Sequence, residues 1–201
     1  LPISPERPRD VRLASRGLSG GVEVAEIAAA GDPEARARLR LGEAARGADV
    51  LVTIGRASVG DHDLVAPVLQ NRGMTLDFWR IAMRPGKPLA FGHIGDTPFI
   101  GSPGNPVSMF VTFCLFARPF ILRRQGVINV QPLAIQAVAD FDWPRPDKRR
   151  EFHRARLWRD ADGVARVSVH PSRSSGVLSS VTWANGLVVI PEQRVLNKGD
   201  K

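Results

Sequence analysis

The sequence predicts an α/β domain, three layers built on a mainly parallel sheet, followed by a small antiparallel β domain. Three observations predict it. Strand-like and helix-like stretches alternate from residue 22 to residue 124, the pattern of a sheet covered by helices. Residues 49–55 are apolar almost throughout, as strands buried on both faces are. After Gly126 the pattern changes to short alternating strands separated by turns. The boundary is read there, giving an α/β domain over residues 1–126 and a β domain over residues 127–201.

Each element has its own local cause. Pro2, Pro5 and Pro8 forbid a regular helix at the start. Residues 10–17 suit a short helix ending at Gly17, and residues 22–27 alternate as a strand. Residues 34–46 form a helix with acidic residues early and arginine late, as the dipole prefers, and Gly47 stops it. The strand at 49–55 runs into a polar loop, then a helix at 64–70. Residues 77–82 read as a strand. Arg84-Pro85-Gly86-Lys87-Pro88 is a rigid basic turn. Short strands at 89–91 and 98–100 are joined through Gly95-Asp96. Asn105 is a good N-cap and Pro106 a good first helical residue, and the apolar helix that follows reaches about Arg124. Beyond Gly126, strands are expected at 133–141, 151–158, 164–169 and 187–190, with a turn at 160–163 and a small polar stretch at 172–180.

Composition excludes several classes. Hydrophobic residues make up 43% and charged residues 24% of 201 positions, a soluble globular balance. No uninterrupted apolar run reaches the roughly 18 residues of a membrane span, since Thr112 and Arg118 break the longest one. Residues 1–4 lack the basic start and apolar core of a secretory signal. The single cysteine, Cys114, lies in the apolar helix and reads as a buried structural thiol, consistent with a cytoplasmic protein. The net charge of +8 is spread evenly, with 16 basic and 12 acidic side chains before residue 127 and 12 and 8 from there on. Arginine predominates, which suits paired hydrogen bonds to phosphate or carboxylate. With no nucleic-acid motif, no tyrosine and scattered Phe and Trp, nucleic acid is not an expected partner. Phe110, Phe113 and Phe116 recur at near-helical spacing and read as core. His93, His153 and His170 read as surface histidines.

Function is read from three loops that an α/β sheet of this order brings to the carboxyl ends of its strands. They are residues 55–63, 83–87 and 102–105. Together they offer the carboxylates Asp61 and Asp63, the cations Arg56, Arg84 and Lys87, and the start of a helix. Gly101 and Gly104 allow close backbone approach there. A helix N-terminus carries unpaired N–H groups and a positive dipole end, hence a site for an anion. Asp61 and Asp63 are hard oxygen donors of the kind Mg²⁺ takes. The bland alternatives are a helix cap for the two aspartates and a solvated turn for the two cations.

These segments resemble one family. Val52-Thr53-Ile54-Gly55-Arg56-Ala57-Ser58-Val59-Gly60-Asp61-His62-Asp63 is similar to the T-S-G-G-x-S-V-G-D-x-D loop of the molybdopterin molybdenumtransferases, the MoeA proteins and the gephyrin E domain. Ala82-Met83-Arg84-Pro85-Gly86-Lys87-Pro88 resembles their A-x-K/R-P-G-K-P turn. Gly101-Ser102-Pro103-Gly104-Asn105-Pro106-Val107-Ser108 resembles their G-L-P-G-N-P-V-S loop. Arg150-Glu151-Phe152, Ser175-Gly176-Val177-Leu178-Ser179-Ser180 and Ala184-Asn185-Gly186-Leu187 look like the family's terminal β domain.

The resemblance implies a fold of the molybdopterin-binding type and an activity in molybdenum cofactor biosynthesis. Molybdate is inserted into adenylylated molybdopterin with Mg²⁺, and AMP is released by a cytoplasmic homodimer. It implies Asp61, Asp63, Lys87 and Arg84 as catalytic residues, with Asp61 and Asp63 also holding the metal. Ser58, Gly60, Pro103, Gly104, Asn105, Pro106, Ser108 and Ser175 become substrate-binding residues. No nucleic acid or membrane is implied. Three departures stand out. Arg56 replaces the second glycine of the family's pair, and Ser102 its leucine. Nothing in residues 1–9 matches the family's S-T-G-D-E strand, so the first strand of the α/β domain is missing from this reading and the chain matches the C-terminal half of such an enzyme. Two hypotheses follow, an enzyme of molybdenum insertion and a non-catalytic pterin-binding or scaffold module of the same fold.

Overall fold

A computed structural model describes residue 45, residues 48–54 and residues 74–201. The helices and strand expected at 10–17, 22–27 and 64–70, nearly all of the helix at 34–46, and the loop 55–63 lie outside the described residues. The described strands and helices form two sheets with a long helix between them. The α/β domain followed by a β domain is therefore observed.

The first sheet contains β1 (Leu51–Ile54), β2 (Met74–Trp79), β4 (Ala90–Ile94) and β5 (Thr97–Ser102), in the order β1-β5-β4-β2. β1 and β5 run parallel; β4 is antiparallel to both β5 and β2. Among the described strands the sheet is thus mixed, because the Gly95-Asp96 turn joins β4 to β5 as a hairpin, which must be antiparallel. Gly95 supplies the left-handed backbone of that turn, at φ +59°. Ala90 and Phe99 form a core on one face with Leu51, Leu76 and Trp79.

The helix begins at Pro106, as expected. It runs as α1 (Pro106–Thr112), a π-helical turn (Phe113–Ala117) and α2 (Arg118–Arg124). Pro119 has no N–H to give to the preceding turn, and a local π turn absorbs that defect. By length and composition this helix is apolar enough to cross a membrane, contrary to the reading of its sequence. Its apolar residues are instead used in packing. Leu89, Ile100 and Ala117 meet on the face of the first sheet, while Val107 and Val111 meet Met83 and, from the second sheet, Phe152 and Leu187. Phe110 and Phe113 pack at the edges of these cores, but Phe116 turns outward and is 37% exposed. The π turn shifts the helical phase, so regular spacing misjudges its orientation.

The second sheet has the order β3-β7-β8-β6, with β9 paired to β7. Its strands are β3 (Met83–Arg84), β6 (Val138–Ala139), β7 (Arg150–Arg159), β8 (Ala165–Val169) and β9 (Gly186–Ile190). β7 is antiparallel to β8 and β9, and the two-residue strands β3 and β6 add parallel edges. The strand expected at 133–141 reduces to β6, because only Val138 and Ala139 find partners on β8, and residues 131–136 are exposed. The polar stretch after residue 172 contains a short helix, α3 (Ser179–Trp183). β3 comes from the basic turn of the first region, so that turn is built into the β domain.

Candidate functional site

The basic turn is fixed from both ends. The Ile81 N–H donates to the Lys87 carbonyl at 3.0 Å, and the Arg80 N–H to the Leu89 carbonyl at 2.9 Å. The Arg84–Pro85 peptide is cis. Gly86 takes φ +114° and lies against Met83 and Thr112; a Cβ there would come within 2.7 Å of the Thr112 methyl. Pairing of β3 with β7 then sets Arg84 beside Glu151 in register.

Behind the turn is a charged cluster. Arg84 Nη1 lies 3.2 Å from Asp147 and 3.6 Å from Glu151. Asp147 also accepts two side-chain hydrogen bonds from Arg149, at 2.9 and 2.7 Å. Arg149 thereby holds the Asp147 carboxyl well below the usual carboxylate range. Glu151 is buried and accepts the indole N–H of buried Trp143 at 2.9 Å. His153 Nε2 lies 3.3 Å from the other oxygen of Glu151. Burial pushes the His153 imidazole below its ordinary pKa, and the hydrogen bond and charge of Glu151 oppose that shift without reversing it. Sequence reading put His153 on the surface; it is only 4% exposed, with the Trp143 ring 4.4 Å from its own and Glu151 beside it.

The loop at 172–175 is pinned opposite. Buried Arg154 donates to Ser180 Oγ at 2.9 Å and to the carbonyls of Ser172 and Ser174 at 2.6 and 3.1 Å. The Val107 N–H, in the first turn of α1, donates to the Ser175 carbonyl at 3.1 Å. The Arg173 guanidinium covers the Trp143 ring, 3.7 Å from its centre.

Turn, strand and loop enclose an open pocket of about 400 Å³. Its walls are residues 83–88, Ser108, Arg149, His153, Arg154 and residues 173–175. Four residues named from sequence, Arg84, Lys87, Ser108 and Ser175, are therefore brought together. Pro103 is buried, Gly104 and Asn105 are exposed and Pro106 is half-buried; these four are not in the wall. Ser58, Gly60, Asp61 and Asp63, with Arg56, lie outside the described residues. Among the described residues, no group of three His, Cys, Asp or Glu side chains could hold a metal ion.

The helix start differs from its expected role. Asn105 occupies the N-cap position without a side-chain capping hydrogen bond, and the Val107 N–H is taken by the protein's own chain. Gly101 makes its close approach to Ala90 and Phe99 within the sheet. The pocket wall carries five cationic side chains, of which sequence reading found Arg84 and Lys87 and missed Arg149, Arg154 and Arg173; Arg154 is buried and spends its donors on Ser172, Ser174 and Ser180. A signal for the missed ones was present. Glu151 and His153 stand two apart, on one face of a strand, with arginines at 149, 150 and 154 around them.

Comparison with known proteins accords with this geometry. Residues 11–123 match the probable molybdopterin binding domain, and residues 136–201 match the MoeA C-terminal region, domain IV. The molybdopterin molybdenumtransferase of Haemophilus influenzae is 32% identical over 86% of this chain and 43% of its own length. Molybdopterin molybdenumtransferase 2 of Mycobacterium tuberculosis is 33% identical over 92% of this chain and 46% of its own. The chain thus spans less than half the length of these relatives. The crystal structure of a molybdopterin biosynthesis MoeA protein from Pyrococcus horikoshii superposes with a TM-score of 0.62 and 28% identity, covering 83% of this chain and 39% of that one. With family matches to both of its parts, in order, the chain belongs to the molybdopterin molybdenumtransferase (MoeA) family.

Proposed function

We propose that the chain acts in molybdenum cofactor biosynthesis and that its basic pocket holds the molybdate oxyanion beside the phosphorylated end of adenylylated molybdopterin. One observation carries this reading: five cationic side chains, from the turn, from β7 and the residue before it, and from the 172–175 loop, line a single pocket. Arg173 offers a planar donor fork, Arg84 and Arg149 the N–H groups that Asp147 and Glu151 leave over, Lys87 adds a point charge, and Ser108 and Ser175 add hydroxyl donors. Charge neutralisation at the pocket would let a dianion and a phosphate approach one another. Pro103 to Pro106 would border the substrate beyond the pocket wall, and the family resemblance adds Ser58 and Gly60 to the residues that would bind it. Mg²⁺, which the family resemblance implies, would draw on Asp61 and Asp63 and supply polarisation of the phosphoanhydride.

The test is molybdate-dependent release of AMP from adenylylated molybdopterin by the chain, with Lys87→Ala as control. Release by wild type, lowered at least tenfold in the variant, supports the enzyme reading. Binding of the pterin without release supports the non-catalytic pterin-binding module, the reading that Arg56 in place of a glycine favours. Neither binding nor release contradicts both. Assembly as a homodimer belongs to the same proposal and is checked by light scattering of the purified chain.

A further inference from the structure

We propose that Glu151, which does not line the pocket, is the positioning residue that presents two of its arginines from opposite sides. The inference rests on the oxyanion-binding reading of the pocket and names what sets its geometry. Glu151 is 1% exposed, and each of its oxygens is used. Oε1 faces Arg84 at 3.6 Å and His153 at 3.3 Å. Oε2 accepts the Trp143 indole N–H at 2.9 Å. That second bond anchors the N–H edge of the indole, and Arg173 lies over its face, 3.7 Å from the ring centre. A guanidinium stacked on a ring keeps its N–H edges in plane and free to meet an anion. A single buried carboxylate therefore orients Arg84 by direct ion pairing and Arg173 through Trp143. Arg84 has a second anchor in Asp147. Among the described residues Arg173 has no such second anchor, so its placement there depends on Trp143 more completely.

The sign of one substitution separates positioning from bare charge. Glu151→Gln keeps the size of the side chain but has one acceptor oxygen in place of two, so it can serve the Trp143 indole or Arg84 and turns an NH₂ donor toward the other. It also removes one negative charge from the neighbourhood of the pocket. If Glu151 acted only as a nearby charge, its loss would tighten binding of an anion. If it orients the arginines, its loss weakens binding. Molybdate is titrated calorimetrically into wild type, Glu151→Gln and Lys87→Ala, each checked for native folding by near-ultraviolet circular dichroism. The expected result is at least tenfold weaker binding by Glu151→Gln. Equal or tighter binding by a folded Glu151→Gln variant, with Lys87→Ala still impaired, overturns this inference alone. No binding by wild type overturns it together with the reading on which it rests. A second measurement holds even if Glu151→Gln does not fold. The Trp143 indole N–H resonance, assigned by Trp143→Phe, is expected to shift on molybdate addition to wild type and to stay still in Arg173→Ala. A resonance indifferent to molybdate in wild type contradicts the link between Glu151, Trp143 and Arg173.

Discussion

Gly86 shows most plainly what a single residue does for the site. Its backbone is left-handed and its Cβ position is filled by Thr112, so Gly86→Ala meets both strain and a clash. The expected cost is about 1–3 kcal/mol, read from the denaturation midpoint. His153 makes a second residue-scale prediction. Its folded pKa lies below the unfolded one, so the unfolded chain takes up a proton first as pH falls. Stability is full above about pH 6.5, the ordinary histidine value, and is lost as pH drops from there toward the depressed folded value. His153→Gln should flatten urea stability measured between pH 7 and 5; an unchanged slope would remove His153 as the cause. Arg84 and Lys87 were legible in the sequence because their chemistry is local, a basic turn, whereas Ser108 and Ser175 came only with the family resemblance. His153 was not legible, because the Trp143 ring that packs against it is brought there by the tertiary fold.

Elements depend on one another in the same way. The hairpin of β4 and β5, the helix start at Pro106 and the strands β7, β8 and β9 follow from turn glycines, proline placement and alternation, and all were readable. The π turn and the shrunken β6 were not, since each answers a tertiary demand. Arg154 illustrates how an element can be held by one side chain. From β7 it ties the 172–175 loop by three hydrogen bonds, and burial lowers its own pKa without neutralising it. Arg154→Met should leave the Ser172 and Ser174 carbonyls without their donor, at about 1–3 kcal/mol. Faster amide exchange confined to residues 172–176 is the expected signature. Global loss of protection would instead mean that the arginine supports the whole sheet.

At the scale of the whole molecule, the two sheets are stitched together by β3 and by the core of Met83, Val107 and Val111 against Phe152, Val181 and Leu187. Shared burial of this kind couples unfolding. Single-tryptophan variants retaining Trp79 or Trp143 should therefore report the same denaturant midpoint, and separated midpoints would show independent domains. The same stitching brings the basic turn against the 172–175 loop and makes the pocket. Sequence reading predicted that residues 55–63, 83–87 and 102–105 would surround one anion site; the first segment lies outside the described residues, the turn lines the pocket, and residues 102–105 do not. The most direct measurement is anomalous diffraction from crystals of the chain soaked in molybdate at neutral pH. The account predicts one molybdenum peak in the pocket, within hydrogen-bonding reach of Lys87 Nζ and the Ser175 hydroxyl, and no such peak in Lys87→Ala. A peak elsewhere on the molecule, with the pocket empty in wild-type crystals, would contradict it.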